Sequence, residues 1–325
     1  MTALRDIVPD TEKLSVTDAS LRPELVVRRV AVASSAGNVG SAFTDLRRLW
    51  QDLMGSRELL YQLTRRDITI RYKQAVMGFG WALFMPLLIV FSGLVVQLAL
   101  ANFAGRSLSA AGSGGMAVKA VPWAFFVGAI GFATNSLVQN ISLVTKVAFP
   151  RAVLPLSAVG AQCFDSGIAL VALAIVLPVM GAVQLSWALL WVPVMLVLLV
   201  GFTIACSLFL SCANLFFRDV KYIVQVLLTF GIFFTPVFFE PAMFGQRGAA
   251  IAMLNPMSPM LEGLRLSVTA GHNLLEPLTT TLANGVSVTV WSPWYLVYAV
   301  VVTLLGLPAT ALLFQRSQYA FAEYI

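Results

Sequence analysis

A single acidic residue, Asp165, stands inside a long apolar stretch of the sequence. Ionisable residues are costly inside a membrane and usually mark function, so this carboxylate could contact a proton or a substrate. It could also be paired with a neighbouring helix, and we favour this structural alternative because ion sites usually combine several polar partners. An ion-coupled carrier that uses Asp165 is therefore a competing hypothesis with less support.

The residue types needed for catalysis or nucleotide binding are scarce. The sequence has one histidine and no Gly-Lys pair, which excludes a P-loop, an HExxH metal site and most Ser/His catalysis. The possible acid and base residues of the predicted outer segments are scattered along the chain: Glu240, Glu262, His272 and Glu276. We therefore expect no catalytic residue, no metal and no bound cofactor, so energy must come from a partner subunit or an ion gradient.

The composition excludes a soluble fold. Hydrophobic residues make up 59% of the 325 residues and charged residues 11%, with a mean hydropathy of +0.86. Soluble domains are typically about 45–50% apolar and about 25% charged. Because the apolar runs are continuous rather than alternating, the sequence predicts an all-α polytopic membrane protein and not a β-barrel.

Apolar windows predict six transmembrane helices. The predicted spans are residues 79–101, 122–144, 157–181, 187–216, 222–239 and 294–314. Basic residues are more frequent on the flanks assigned to the inside, which places both termini in the cytoplasm. Residues 240–291 are interrupted by Pro and Gly, and their short apolar segments 249–254 and 260–268 predict outer re-entrant helices.

The N-terminal region precedes the membrane domain. Residues 1–40 are polar and charged, which predicts a disordered cytoplasmic tail. Residues 41–75 are assigned to amphipathic interface helices, since Phe43 and Trp50 fall on one helical face. That face could lie in the membrane interface or pack on a partner protein, and the two alternatives have equal support. Residues 76–325 then form the six-span transmembrane domain. Because the basic residues are not interleaved with aromatic ones along a face, we expect no nucleic-acid partner.

The segment between the second and third predicted spans is more apolar than a simple turn. It contains a mixture of basic, apolar and proline residues: Lys146, Val147, Phe149, Pro150 and Arg151. A short helix of this composition suits docking into a groove on a cytoplasmic partner.

These segments resemble the polysaccharide-export permeases, the membrane subunits of ABC transporters that export O-antigen, teichoic acid and related glycans. Residues 146–151, Lys-Val-Ala-Phe-Pro-Arg, resemble their cytoplasmic loop. Residues 65–73 resemble the basic approach to their first span, residues 217–222 the run into their fifth span, and residues 254–265 their outer re-entrant segment. The likeness covers residues 57–320 in matching order.

The resemblance implies that residues 146–151 are a coupling helix seated on an ABC ATPase subunit that binds ATP and Mg²⁺. It also implies a homodimer of the permease with two ATPase copies in the inner membrane. The first and fifth spans would line a wide channel. Its candidate lining residues are aromatic, although lipid-facing packing is the favoured role for most of them: Phe84, Phe91, Phe230, Phe233, Phe234 and Phe238.

The expected function is therefore export of a lipid-linked polysaccharide, such as a cell-wall galactan, a teichoic acid or an O-antigen, and not an enzymatic reaction. A related ABC permease for drugs or small lipids is the nearest alternative.

Overall fold

The computed structural model describes residues 39–73, 78, 80–103, 110–146, 149–281 and 287–318. Residues 1–48 and 49–325 form separate compact units, and of the first only the beginning of helix α1 is described. The predicted disordered tail, residues 1–40, therefore lies almost wholly outside the described residues.

The described residues form helices and one short hairpin. The α-helices are α1 (Val39–Gly55), α2 (Arg57–Tyr72), α3 (Gly80–Phe103), α4 (Ala110–Gln139), α5 (Ile141–Lys146), α6 (Val153–Val179), α7 (Trp191–Phe216), α8 (Val220–Phe234), α9 (Gly245–Met253), α10 (Met257–Arg265) and α11 (Pro293–Ser317). Short 3₁₀ helices precede α7 and α9, at Trp187–Leu190 and Pro241–Phe244, and a π-helical turn, Leu266–Ala270, follows α10.

Four of the described helices are long and apolar enough to cross a membrane. They are Gly112–Gln139 within α4, Val153–Val179, Trp187–Phe216 and Pro293–Ser317. A span needs about 20 predominantly apolar residues, and these four correspond to the predicted second, third, fourth and sixth spans. The chain is therefore an integral membrane protein built from helices.

The second span begins earlier than the sequence predicted. Helix α4 starts at Ala110 and carries Pro122 in its interior, whereas residues 112–115 were expected to lie in an outer loop. These small residues allow neighbouring segments to approach closely, since a Cβ on Gly114 would lie 2.5 Å from the Cβ of Ala182. Small residues at helix contacts are common in membrane proteins, so the Gly- and Ser-containing stretch is a packing surface rather than a loop.

Helices α3 and α8, which correspond to the predicted first and fifth spans, are not among the four long apolar helices. Helix α8 has 15 residues, and the chain becomes extended at Thr235 because the following Pro236 disfavours helical backbone before it. The apolar stretch of α3 runs over Gly80–Val96. The number of six spans is therefore still a prediction.

The interrupted region between α8 and α11 contains the two predicted short helices, as α9 and α10. It also contains a hairpin that the sequence analysis did not predict. Strand β1 (Leu278–Thr281) pairs antiparallel with β2 (Ser287–Trp291). The all-α class fits, with this hairpin as the exception in the described part of the chain.

Helix α4 is central to the membrane domain. It packs against α3, α6, α7, α8 and α10, while α11 packs against α7. Gly93 of α3 permits one close contact, since a Cβ there would lie 2.3 Å from Met116 Sδ and 2.7 Å from Phe238 Cδ1. Buried core residues such as Met195 and Met260 fill the space between α7 and α10.

Candidate functional site

The predicted coupling segment lies at the turn between α5 and α6. Helix α5 ends at Lys146, and the chain then turns through Phe149 and Pro150, both half-buried, into α6. Arg151 donates a hydrogen bond from its guanidinium to the backbone oxygen of Gln318, just after α11. Val147 lies outside the described residues, as does the side chain of Lys146. The coupling role of this segment stays a prediction.

Asp165 lies in a group of side chains that also contains three polar residues and one aromatic ring. We call this group the Asp165 cluster: Arg71, Tyr72, Phe132, Gln162 and Asp165. Arg71 Nη1 donates to Asp165 Oδ2 at 2.5 Å and to Gln162 Oε1 at 2.9 Å, while Tyr72 Oη donates to Asp165 Oδ1 at 2.6 Å. The guanidinium also lies 3.8 Å from the centre of the Phe132 ring. Both carboxylate oxygens of Asp165 are thus used in joining α2 to α6.

The phenol of Tyr72 shares the electrostatics of this cluster. Its burial and its hydrogen bond to the Asp165 carboxylate raise the pKa of Tyr72 above the ordinary value for tyrosine. The phenol therefore stays protonated at physiological pH and acts as a hydrogen-bond donor.

Further polar contacts fasten α2 to the same part of the membrane domain. Ser157 Oγ donates to Asp67 Oδ2 at 3.0 Å, and Arg66 Nη2 donates to Asn140 Oδ1 at 3.2 Å. A Cβ on Gly160 would lie 3.2 Å from Thr64 Oγ1, so α2 and α6 approach closely. The C-terminal part of helix α2 is held to α6 by side-chain hydrogen bonds.

A second set of charges lies near α10, and we call it the Glu262 cluster: Lys119, Glu240, Glu262 and Arg265. Arg265 donates to Glu262 Oε1 from Nε at 2.9 Å and from Nη2 at 2.5 Å, and its Nη1 lies 3.3 Å from Glu240 Oε1. Lys119 Nζ lies 3.7 Å from Glu262 Oε2 and donates to the backbone oxygen of Phe239 at 2.8 Å. The cluster joins α4, α10 and the segment after α8.

The charges of the Glu262 cluster balance, with two cations and two carboxylates. The side chain of Lys119 is 2% exposed and that of Glu262 is 0% exposed, so each buried charge depends on the opposite charges beside it. In the described part of the chain, no group of three His, Cys, Asp or Glu side chains could hold a metal ion.

Sequence reasoning missed the Glu262 cluster. It placed Lys119 in an outer loop and treated Glu240 and Glu262 as scattered, whereas Arg265 brings these two carboxylates together. The one available signal was the spacing of Glu262 and Arg265, three residues apart on a helix. The contact with Lys119 could not be predicted from spacing because it joins distant parts of the chain.

The aromatic residues proposed for a channel do not all have the same surroundings. Phe238 is half-buried and packs against Gly93 of α3. The other five candidates are exposed on α3 and α8: Phe84, Phe91, Phe230, Phe233 and Phe234. Exposure on a single chain does not distinguish lipid contact from a channel wall, so the lining role stays a prediction.

Long apolar helices joined by ion pairs define a helical membrane protein. Residues 58–268 match the family described as ABC-2 type transporter, and the chain belongs to this ABC-2 membrane family. It is therefore a transport permease of the inner membrane, and membership of this family implies an ABC ATPase partner.

Named relatives are similar over most of their length. The chain is 30% identical over 254 residues to the O-antigen export system permease protein RfbA of Myxococcus xanthus, covering 75% of this chain and 93% of that protein. Two Klebsiella pneumoniae proteins of the same name are 26% and 27% identical over 279 residues, covering 82% of this chain and 95% of each of them.

Proposed function

We propose that this chain is the permease subunit of an ABC transporter that exports a lipid-linked polysaccharide across the cytoplasmic membrane. The observation that carries the proposal is the similarity to O-antigen export permeases, since it extends over 93–95% of the length of those proteins. A cell-wall galactan, a teichoic acid or an O-antigen-type chain is the expected cargo.

The proposed complex contains two copies of the permease and two ATPase subunits, and each permease has six spans with both termini in the cytoplasm. ATP binding with Mg²⁺ occurs in the ATPase subunits, which push on the turn formed by residues 146–151. Phe149 and Pro150 are half-buried there, so they offer part of their apolar surface to a partner. The buried start of α6, at Val153 and Leu154, would receive the push.

The surroundings of Asp165 argue against the ion-coupled alternative. A residue that carries a proton or a cation needs an available carboxylate oxygen, whereas both oxygens of Asp165 accept short hydrogen bonds from Arg71 and Tyr72. We assign Asp165 to the attachment of α2, and no observation on the described residues favours a carrier mechanism.

Depletion of the permease tests the function in its native cell. The expected result is that lipid-linked glycan accumulates inside the cell and surface glycan falls, as measured by extraction and labelling of the two pools. Unchanged glycan pools with increased drug sensitivity would instead identify a permease for drugs or small lipids.

Replacement of Phe149 and Arg151 by alanine tests the coupling role. The variant should hydrolyse ATP in the assembled complex without exporting glycan, because the ATPase would no longer push on the turn. Phe149→Ala alone serves as a second variant, since it leaves the contact between Arg151 and Gln318 intact. Trp187→Ala is the matched control, because Trp187 is an exposed aromatic residue in another connection. Normal export by both turn variants would refute the coupling role.

A further inference from the structure

A groove of mixed polarity lies between α4 and α8. It has a volume of about 410 Å³, which is within the range of roughly 300–1,000 Å³ usual for small-molecule sites. Six of its ten lining residues are polar, although the larger part of its lining surface is apolar, and we call it the α4–α8 groove. Its polar lining residues are Thr134, Asn135, Lys221, Tyr222, Gln225 and Thr229.

The two helices are joined at both ends of the groove. At one end, Asn214 Nδ2 donates to the backbone oxygen of Thr134 at 2.9 Å, and Asn214 Oδ1 accepts from the backbone N–H of Lys221 at 3.2 Å. At the other end, Gly231 of α8 allows close contact with the indole of Trp123 on α4, because a Cβ on Gly231 would lie 3.1 Å from Trp123 Cη2. The groove is therefore a fixed gap between two anchored helices.

Helix α8 presents a polar stripe to this groove. Lys221, Gln225 and Thr229 follow one another at intervals of four residues, which places them on one face of the helix. Other exposed positions of α8, such as Val226 and Leu227, are apolar. Gln225 and Thr229 lie within the predicted fifth span, where polar side chains are costly, so these two residues favour a polar occupant.

The groove offers both acceptors and donors of hydrogen bonds. Thr229 uses its hydroxyl proton within its own helix, at 2.8 Å, and because its side chain is exposed it presents oxygen lone pairs as acceptors, whereas the Thr134 hydroxyl is buried and bonded within α4. The ammonium of Lys221 and the amide of Gln225 supply donors. This combination matches sugar hydroxyl groups, which donate and accept together.

Charge and ring surface also favour a sugar. In the described part of the chain, Lys221 is the only cation that lines the groove, whereas a diphosphate is usually held by several cations or by bidentate arginines. The ring of Tyr222 is exposed, and the Lys221 ammonium lies over one of its faces, 4.7 Å from the ring centre, so only the other face can meet the C–H face of a sugar ring. A neutral carbohydrate therefore fits the groove better than an anionic headgroup.

We propose that the α4–α8 groove binds neutral sugar rings of the exported polysaccharide during their passage. This inference rests on the proposed function and adds to it a binding site on the permease itself. It assigns recognition to hydroxyl and amide groups on α4 and α8 rather than to the exposed phenylalanines of α8.

A variant that fills the groove tests the site. A Cβ on Gly131 would meet no atom within 4 Å, so Gly131→Leu adds bulk inside the groove without a clash, and leucine favours helix more than glycine does. Gly167→Leu is the matched control, since its Cβ also meets no atom within 4 Å but lies on α6 away from the groove.

The measurement is glycan export by the complete transporter in cells, with membrane levels of the permease and ATP hydrolysis measured in parallel. Losing about two hydrogen bonds to sugar should lower export about tenfold in Gly131→Leu, at normal permease levels, while Gly167→Leu exports normally. The same result is expected for Gln225→Leu, with Leu227→Ala as its control. Equal export by the groove variants and their controls would overturn the proposal.

Cysteine accessibility provides a second measurement that does not depend on export rate. In a chain whose three native cysteines are replaced by serine, Gln225→Cys should react with a membrane-impermeant methanethiosulfonate, and Leu227→Cys should not. An ATPase-inactive partner that holds glycan in the transporter should slow the reaction at position 225 at least about fivefold. Reaction without protection, or a disulfide between the two copies at position 225, would show that sugar does not occupy the groove.

The two proposals can fail separately. If depletion of the unaltered permease leaves glycan export unchanged, the proposed function fails and the sugar site fails with it. If depletion blocks export but the groove variants export normally and position 225 is not protected, only the sugar site is wrong.

Discussion

The Asp165 cluster and the Glu262 cluster contain the same central contact in different surroundings. Each has an arginine nitrogen 2.5 Å from a carboxylate oxygen. The side chains of Arg71 and Asp165 are 16% and 10% exposed, whereas Glu262 is 0% exposed. Because desolvation rises steeply with burial, an identical contact distance should correspond to different costs when a charge is removed.

The clusters also join different parts of the molecule. The Asp165 cluster fastens one helix, α2, to the beginning half of α6, together with an uncharged tyrosine and glutamine. The Glu262 cluster joins three segments and depends on a balance of four charges. We therefore expect the first to tolerate substitution better than the second.

Glu262→Gln should have the largest effect on stability. It leaves Lys119 and Arg265 buried with one fewer compensating charge, and breaking a buried pair costs about 3–5 kcal/mol. The free energy of unfolding of the purified permease in detergent measures this loss. Glu276→Gln, which changes an exposed carboxylate, is the control and should leave the free energy of unfolding unchanged. A loss no greater than that of the control would mean that the cluster is solvated.

The double variant Lys119→Met with Glu262→Gln should lose about 2–3 kcal/mol of the free energy of unfolding. This loss is smaller than that expected for Glu262→Gln alone. Removing one cation and one anion restores the charge balance, and the contact of Arg265 with Glu240 can persist. The same unfolding measurement, made on both single variants and the double variant, gives the coupling energy. Additive losses would contradict charge balance as the stabilising principle.

Asp165→Asn should cost about 1–2 kcal/mol, because the amide can still accept the hydrogen bond from Tyr72 while losing its charge interaction with Arg71. The change removes a charge from a site that is less completely buried than that of Glu262, so the loss should be smaller than for Glu262→Gln. Asp219→Asn, an exposed carboxylate at the start of α8, is the control. A loss as large as that of Glu262→Gln would remove the distinction between the clusters.

Glu240→Gln should have the smallest effect. Its side chain is 45% exposed, and exposed ion pairs contribute about 0–1 kcal/mol. The unfolding measurement at low and high salt should give nearly the same free energy as the unaltered chain, with the small difference shrinking as salt is added. A loss comparable to that of Glu262→Gln would show that all four charges of the cluster are equally necessary.

The long spans could be predicted from sequence because hydropathy and length determine them directly. The predicted fourth span, residues 187–216, agrees with the 3₁₀ helix Trp187–Leu190 followed by α7. The start of α4 could not be predicted, because small residues and Lys119 are typical of an exposed loop. They are helical here because they pack against other segments and because Lys119 is paired with Glu262.

The candidate sites were predictable to different degrees. A partner for Asp165 was expected, and the structural alternative agrees with its contacts with Arg71 and Tyr72. The identity of that partner could not be predicted, since Arg71 lies 94 positions away along the chain. The α4–α8 groove was missed for a related reason: the polar stripe of α8 is legible in the sequence, but the facing residues of α4 are brought to it only by the fold.

The hydrogen bond from Arg151 to the backbone of Gln318 has a mechanical consequence. It ties the turn before α6 to the residue that follows α11, so a displacement of that turn would be divided between two helices instead of one. Because α11 packs on α7, a movement of the turn before α6 would then also reach α7. A push from the proposed ATPase subunit would thus be transmitted through both α6 and α11. Removing the guanidinium of Arg151 should leave transmission through α6 alone.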